Sequence, residues 1–122
     1  MQTAAGAAYQ NNTTSMSNGS LMRCTPLAVW GCLLKPSSLA RAVVMDVALT
    51  HPSQDVQSAV ATYVIACSVL IRTGDRAEAL AVADRWCNDH ATPLVQEWMA
   101  DSHGALQPHD TFGHQMGFIK HG

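Results

Sequence analysis

The sequence predicts an all-α fold, a compact domain of several helices joined by short connections. Apolar residues recur at helical spacing along most of the chain, and no stretch alternates with the period of two that a half-buried strand requires. Residues that cap or end helices stand at the breaks in this apolar pattern. A length of 122 residues suits one small domain. We predict a flexible N-terminal segment over residues 1–16 and a helical domain over residues 17–122.

The first two predicted helices occupy residues 20–34 and 39–50. Pro26 stands near the first turn of the first helix, where a missing N–H costs least. Ser37 or Ser38 can cap the second helix. The apolar residues of the second helix, at helical spacing, are Leu39, Val43, Val44 and Val47.

The third predicted helix is the most apolar segment of the chain, and Ser53 or Asp55 opens it. One side carries a continuous apolar stripe of Val56, Val60, Tyr63, Val64, Cys67, Leu70 and Ile71. The other side is apolar too, with Ala61, Ile65 and Val69. Because a helix that is apolar nearly all round packs on several faces, we predict that residues 56–71 form the central and most buried helix.

Two shorter helices follow the central one. Gly74 ends the third helix, and Asp75 with Glu78 forms a capping box for the fourth. The apolar face of the fourth helix consists of Ala79, Val82, Ala83, Trp86 and Cys87. Thr92 caps the fifth helix, and Pro93 takes its first position. The apolar residues of the fifth helix are Leu94, Val95, Trp98 and Met99.

Composition and charge argue against several classes of protein. The net charge is −2 and the isoelectric point about 6.3, without the basic face that nucleic-acid binding requires. No apolar run approaches the roughly 18 residues of a membrane span. The N-terminus lacks the basic and apolar regions of a signal peptide, so we expect a cytoplasmic protein. The four cysteines lack C-x-x-C spacing, and we expect small buried hydrophobic residues at Cys24, Cys32, Cys67 and Cys87.

The candidate binding segment is Ser17-Asn18-Gly19-Ser20, directly before the first predicted helix. Gly19 allows positive φ and close backbone approach, and the free N–H groups at a helix start attract phosphate. Arg23 adds positive charge to the same segment. The chemistry leaves an alternative open, in which the segment is an ordinary capped helix with an exposed arginine.

Histidines and acidic residues show no catalytic or metal-binding spacing. His51 follows the predicted end of a helix, where either a ligand contact or an ordinary turn fits. No two histidines have H-x-x-x-H spacing, and Asp46, Asp101 and Asp110 are each the single acid of their segment. Because magnesium sites and paired-acid hydrolases need several placed carboxylates, the sequence supports neither. Cys–His nucleophilic chemistry stays open, since such pairs form in space rather than in sequence.

Two segments in order resemble the ADP-ribosylglycohydrolase family, which includes the dinitrogenase-reductase activating glycohydrolases and the J1-type crystallins. The run SNGSLMRCTPLAVWG resembles the family's G-N-G-x-x-M-R-x-x-P segment, with Ser17 in place of the first glycine. The run DVALTHPSQDVQSAVATYVIA resembles the family's L-T-H-P turn and the apolar helix after it. A further helix is predicted over residues 115–122. Its ending, GFIKHG, is similar to the start of a late family helix. Residues 16–72 carry the resemblance, and the chain looks like the family's middle third.

The resemblance implies a compact all-α fold and hydrolysis of the glycosidic bond between ADP-ribose and a modified protein side chain. It places the residues before the first helix against the diphosphate and ribose of ADP-ribose, and the histidine turn near the same ligand. The site predicted on this basis consists of Ser17, Asn18, Gly19, Ser20, Arg23 and His51. The family also holds two magnesium ions in acidic clusters that this sequence lacks. At Asp110-Thr111 the preceding acid of the family's D-x-D-T is replaced by Pro108.

We therefore expect an incomplete ADP-ribosylglycohydrolase-like domain that is inactive alone, with magnesium required by the complete family member. The expected partners are ADP-ribose or ADP-ribosylated protein, and neither nucleic acid nor membrane. The alternative is a non-catalytic protein, either a crystallin-like structural relative or an ADP-ribose-binding remnant. Because one small domain cannot cover every apolar face of the third helix, we also expect self-association.

Overall fold

The computed structural model describes residues 19–102, together with residues 4, 6 and 7, which are helical. Within residues 19–102 the chain forms six α-helices and no strand, which confirms the predicted all-α fold. The helices are α1 (Gly19–Met22), α2 (Thr25–Trp30), α3 (Pro36–Val47), α4 (Gln54–Thr73), α5 (Arg76–His90) and α6 (Pro93–Ser102). The helix predicted over residues 115–122 lies outside the described residues.

The predicted first helix over residues 20–34 is wrong, because the chain forms two short helices there. α1 ends at Met22, and α2 begins at Thr25 with Pro26 in its first turn. In one continuous helix the nitrogen of Pro26 would face the carbonyl of Met22, four residues back. Proline has no N–H to donate, and its ring clashes with that carbonyl, so the helix stops and restarts.

The second predicted helix exists, but its start differs from the prediction. α3 begins at Pro36, with Lys35 at the N-cap and no side-chain capping bond, so neither Ser37 nor Ser38 caps the helix. Proline suits the first helical position because its φ is already helical and no N–H is wasted. The buried residues of α3 keep the predicted spacing and are Leu39, Ala40, Val43 and Val47.

The central position predicted for the third helix is confirmed. α4 packs against α2, α3, α5 and α6, and its first four turns are mostly buried. Three residues of the predicted stripe are nevertheless exposed, namely Tyr63 (40%), Leu70 (39%) and Ile71 (49%). The six residues of α2 span about 9 Å against about 30 Å for α4, so α2 covers only part of this side.

α4 is also long and apolar enough to cross a membrane by length and composition alone, with a mean hydropathy of 1.4 over its most apolar stretch. The expectation that no apolar run approaches the length of a membrane span is therefore wrong by this measure. Half of the stretch is buried inside the domain, as in the core helix of a globular fold, which passes the same test.

The junctions around α5 follow the predicted capping chemistry at Gly74 and Asp75 but not at Glu78. Gly74 ends α4 with a left-handed φ of 72°, and the Asp75 carboxylate accepts from the N–H groups of Ala77 and Glu78. The N–H of Asp75 itself donates to the Thr73 hydroxyl, which takes the place predicted for the Glu78 side chain. The buried face of α5 consists of Ala79, Ala83 and Cys87.

α6 begins at Pro93 as predicted and is tied to the start of α4 by Thr92. The Thr92 hydroxyl donates to Oδ1 of Asp55 at 2.6 Å, and its N–H donates to the Ser58 hydroxyl at 3.3 Å. These bonds hold the first turns of α4 and α6 together.

Candidate functional site

The candidate site is built where the α1–α2 break meets the end of α3. Arg23 lies in the break, and its guanidinium reaches Asp46 in the last turn of α3 and Thr50 just beyond that helix, 23 and 27 residues further along the chain. Nη1 donates to the Thr50 hydroxyl at 2.9 Å, and Nη2 donates to the main-chain carbonyl of Asp46 at 3.0 Å. Nε lies 3.5 Å from the Asp46 carboxylate. The positive charge thus sits at the C-terminal end of a helix, where the helix dipole favours it.

His51 is held in the turn that follows α3. Its ring Nδ1 lies 2.7 Å from Oγ1 of Thr50, and its main-chain N–H donates to the carbonyl of Val47 at 2.7 Å. The Gln57 amide from α4 donates to the carbonyls of His51 and Pro52, both at 3.3 Å. His51 is 6% exposed. This burial lowers the pKa of its imidazole below the ordinary value, and the Arg23 charge lowers it further.

Ser20 lies in α1 and is fully buried. Its hydroxyl has no hydrogen-bond partner among the residues that the structure describes. Burying such a group without a partner costs about 1–3 kcal/mol, so native proteins rarely retain one without use for it. Gly19 begins the same helix and is exposed.

The predicted anion site at the start of a long helix is wrong in one respect. α1 has only four residues, so it has no macrodipole comparable to that of the predicted helix over residues 20–34. Any attraction for phosphate at this place must come from local N–H groups, the Ser20 hydroxyl and the Arg23 charge. Ser17 and Asn18, which the resemblance also assigns to the site, lie outside the described residues.

The described residues do not fit a magnesium site. No three His, Cys, Asp or Glu side chains within residues 19–102 come together in a way that could hold a metal ion. The Asp46 carboxylate, which lies at the candidate site, already faces the Arg23 guanidinium. Asp110 lies outside the described part of the chain.

The cysteines do not support nucleophilic chemistry at this site. Cys24 and Cys87 are buried as predicted, whereas Cys32 and Cys67 are half-buried. Burial raises the pKa of the Cys24 thiol to about 11, with a further contribution from the neighbouring Cys67. Burial also raises the pKa of Cys87. A thiol with a raised pKa is mostly protonated near neutral pH, and the thiolate is the nucleophile.

A groove lies between α3 and α5 and shares no residue with the candidate site. It is an open, mostly apolar groove of about 350 Å³, in which the rings of Trp86 and His90 lie 5.6 Å apart. Its remaining lining residues are Ser37, Ala40, Arg41, Val44 and Met45. No sequence pattern predicted this groove.

Three residues of the candidate site were not singled out from the sequence, namely Asp46, Thr50 and Gln57. Asp46 and Thr50 are four residues apart at the end of a predicted helix, a spacing that places both on one face. That spacing could have indicated a joint partner. Nothing in the sequence indicates that the partner is Arg23.

A comparison with protein families decides the relationship. The family model described as ADP-ribosylglycohydrolase matches residues 1–120. This chain belongs to the ADP-ribosylglycohydrolase family. The match is wider than residues 16–72, which carry the resemblance in the sequence. Searches of curated proteins and of solved structures found no significant match. In this ADP-ribosylglycohydrolase-family chain, Arg23 and Thr50 join the two segments in which the resemblance is strongest.

Proposed function

We propose that this chain forms the ADP-ribose-contacting part of an ADP-ribosylglycohydrolase-like protein. The parent activity is hydrolysis of the glycosidic bond between ADP-ribose and a modified protein side chain. One observation carries the proposal. The hydrogen bond from Arg23 to Thr50 brings the Gly19-Ser20 segment and the His51 turn together, although they are far apart in sequence.

The chemistry of these residues suits a ligand rich in phosphate and hydroxyl oxygens. The Ser20 hydroxyl is a buried polar group without a described partner. The guanidinium of Arg23 has five N–H donors, more than its three described contacts use. The side chain of Arg23 is 37% exposed, so a phosphate oxygen can approach it from solvent. The predicted ligand-contacting set stays Ser17, Asn18, Gly19, Ser20, Arg23 and His51.

The proposal assigns binding to this chain and does not assign catalysis. Hydrolysis in the family depends on magnesium, and the residues described here do not supply a site for it. We propose that this chain alone binds ADP-ribose weakly and does not release it from protein. Magnesium belongs to the complete family member, where it would activate water and polarise the ribose.

A non-catalytic role is the second candidate. The missing metal cluster within residues 19–102 favours a crystallin-like structural protein or an ADP-ribose-binding remnant over a self-sufficient enzyme. A test of ADP-ribose binding distinguishes the structural protein from the binding remnant. A purely structural relative would show no binding at the candidate site, whereas a remnant of the hydrolase pocket would still bind.

A titration of the isotope-labelled chain with ADP-ribose, followed by NMR, tests the proposal. We expect shifts at residues 17–23 and 51, with a dissociation constant of about 1 mM, roughly −4 kcal/mol. Gly19→Val should abolish these shifts, because a branched side chain blocks close approach of the ligand to the backbone. Ser38→Val is the matched control, since it adds the same side chain at an exposed position on α3. Shifts confined to other parts of the chain would contradict the proposal.

A further inference from the structure

Three side chains at the candidate site form a continuous hydrogen-bonded series. Arg23 Nη1 lies 2.9 Å from Oγ1 of Thr50, and the same oxygen lies 2.7 Å from Nδ1 of His51. A guanidinium stays protonated and has no acceptor, so Arg23 is the donor in the first bond. The Thr50 hydroxyl therefore accepts from Arg23, and it has one hydrogen of its own to donate.

The direction of the second bond follows from the charge at the first. A cationic donor on Oγ1 polarises the hydroxyl, which strengthens its O–H as a donor and weakens the oxygen as an acceptor. An imidazolium would place a second cationic donor on the same oxygen. The arrangement with the lowest electrostatic cost has the Thr50 O–H donating to an unprotonated Nδ1. The ring proton of a neutral imidazole then sits on Nε2.

We propose that Arg23 and Thr50 are positioning residues that hold His51 as the neutral tautomer with its proton on Nε2. The main-chain N–H of His51 donates to the Val47 carbonyl, and the Gln57 amide donates to the His51 carbonyl. These two bonds fix the backbone on both sides of the ring. Within the described part of the chain, the charged side chains tied to this series are Arg23 itself and Asp46, whose carboxylate faces Arg23. Burial and the Arg23 charge both lower the pKa of His51, which agrees with a neutral ring.

This inference rests on the proposed function for its consequence. A neutral His51 with a proton on Nε2 is a hydrogen-bond donor whose charge does not change near neutral pH. Such a donor suits the phosphate and ribose oxygens of ADP-ribose, which accept hydrogen bonds. Arg23 would then act on the ligand partly through His51, in addition to any direct contact.

The tautomer can be read directly from the isotope-labelled full chain without ligand. Long-range proton–nitrogen NMR spectra distinguish a protonated ring nitrogen from an unprotonated one, and His51→Gln assigns the His51 signals among the six histidines. We expect an unprotonated Nδ1 and a protonated Nε2 at pH 7. A protonated Nδ1, or an imidazolium at that pH, would overturn the proposal.

Two pairs of variants separate positioning from general stability. Thr50→Val removes the hydroxyl at nearly constant shape, and Thr50→Ser is the matched control that retains it. We expect Thr50→Ser to keep the tautomer, and Thr50→Val to give a mixture of tautomers with a raised pKa of His51. Arg23→Gln should raise that pKa while Thr50 keeps its bond to the ring, and Arg23→Lys should restore it in part. An unchanged tautomer and pKa in both Thr50→Val and Arg23→Gln would overturn the proposal, even if either variant is less stable.

Ligand binding is measured separately on the same samples. We expect Thr50→Val to weaken ADP-ribose binding about threefold to tenfold, and Thr50→Ser, which retains the hydroxyl, to weaken it less than Thr50→Val does. If the tautomer is as proposed but ADP-ribose does not bind, the proposed function fails and the positioning of His51 stands. If ADP-ribose binds but Nδ1 is protonated, the positioning fails and the proposed function stands.

Discussion

The guanidinium of Arg23 contacts Asp46 in two places, the main-chain carbonyl at 3.0 Å and the carboxylate at 3.5 Å. The carbonyl belongs to the last turn of α3 and also accepts from the main-chain N–H of Leu49 at 3.1 Å, so Arg23 is a further donor to it. The carboxylate adds an ion pair between side chains that are 37% and 32% exposed. The two contacts should contribute differently to stability, because solvent screens the ion pair more than it weakens the hydrogen bond to the carbonyl.

Asp46→Asn should therefore have little effect on stability, whereas Arg23→Gln should have more. Asp46→Asn removes the charge and keeps the carbonyl, and we expect a loss of about 0.5 kcal/mol or less in the free energy of unfolding. Arg23→Gln removes the carbonyl bond, the Thr50 bond and the ion pair, and we expect a loss of about 1–2 kcal/mol. Urea unfolding of both variants measures the difference. Equal losses would mean that the carboxylate holds Arg23 in place.

The buried position of His51 predicts that stability falls in acid. The pKa of His51 is lower in the folded chain than the ordinary value of 6.5. As pH falls below about 6.5, the unfolded chain therefore takes up a proton that the folded chain does not. Stability is complete above that pH and is lost toward the folded pKa, by at most about 1.4 kcal/mol per pH unit for this one group. Urea unfolding between pH 7.5 and 5.5 measures the slope, and His51→Gln should reduce it.

The buried hydroxyl of Ser20 predicts opposite effects on stability and on binding. Ser20→Ala removes a polar atom that has no partner among the described residues, so the free energy of unfolding should stay the same or rise by about 1 kcal/mol. ADP-ribose binding should weaken, because the hydroxyl is then unavailable to the ligand. Thermal unfolding and the NMR titration measure the two effects. A clear loss of stability would show that the hydroxyl has a structural partner.

The general fold could be predicted from the sequence because local chemistry decides most of it. The apolar pattern of α4, the left-handed Gly74 and the Asp75 cap are all local signals, and the structure contains each of them. The break at Pro26 could also have been predicted, since its ring must face the Met22 carbonyl in a continuous helix. Pro26 is a first-turn residue of α2, which begins at Thr25, and not of a helix that begins at residue 20.

The candidate site was less predictable because it depends on tertiary contacts. Local chemistry singled out Ser20, Arg23 and His51 but left an ordinary cap and an ordinary turn open, and only the family resemblance assigned the three residues to one ligand. The bond from Arg23 to Thr50 joins residues 27 positions apart, and no spacing rule predicts it. The exposure of Leu70 and Ile71 also depends on how far the short α2 extends along α4. Apolar residues in a sequence do not reveal whether a neighbour is long enough to cover them.

The lack of a metal-binding cluster within residues 19–102 predicts that the chain is inactive alone. We expect no release of ADP-ribose from an ADP-ribosylated protein, with or without added magnesium, because residues 19–102 bring together no set of carboxylates that could place the ion and the water. Release is measured by chromatography of the free nucleotide. Magnesium-dependent turnover that a chelator abolishes would contradict this prediction.

Large apolar side chains are exposed on α2, in the turn after it and on α4. Arg72, in the last turn of α4, donates to the carbonyl of Cys32, so the turn after α2 lies beside the end of α4. The large side chains of this α2–α4 surface are Val29, Trp30, Leu33, Tyr63, Leu70 and Ile71, and each is between 39% and 84% exposed. Apolar surfaces beyond a few hundred Å² often mark sites of association.

We predict weak self-association of the chain through the α2–α4 surface. If each copy buries roughly 400 Å², the two copies gain about 20 kcal/mol of apolar burial, from which about 4–15 kcal/mol of association cost and further ordering terms are subtracted. The area is at the low end for specific interfaces, so we expect a dissociation constant on the order of 100 µM. Sedimentation velocity over a range of concentrations measures it. Leu33→Glu and Ile71→Glu should each shift the chain toward monomer, because a charge would be buried in the interface, whereas Ser38→Glu on exposed α3 is the matched control. A monomer at every concentration, or equal effects of all three substitutions, would show that this surface does not bind a second copy.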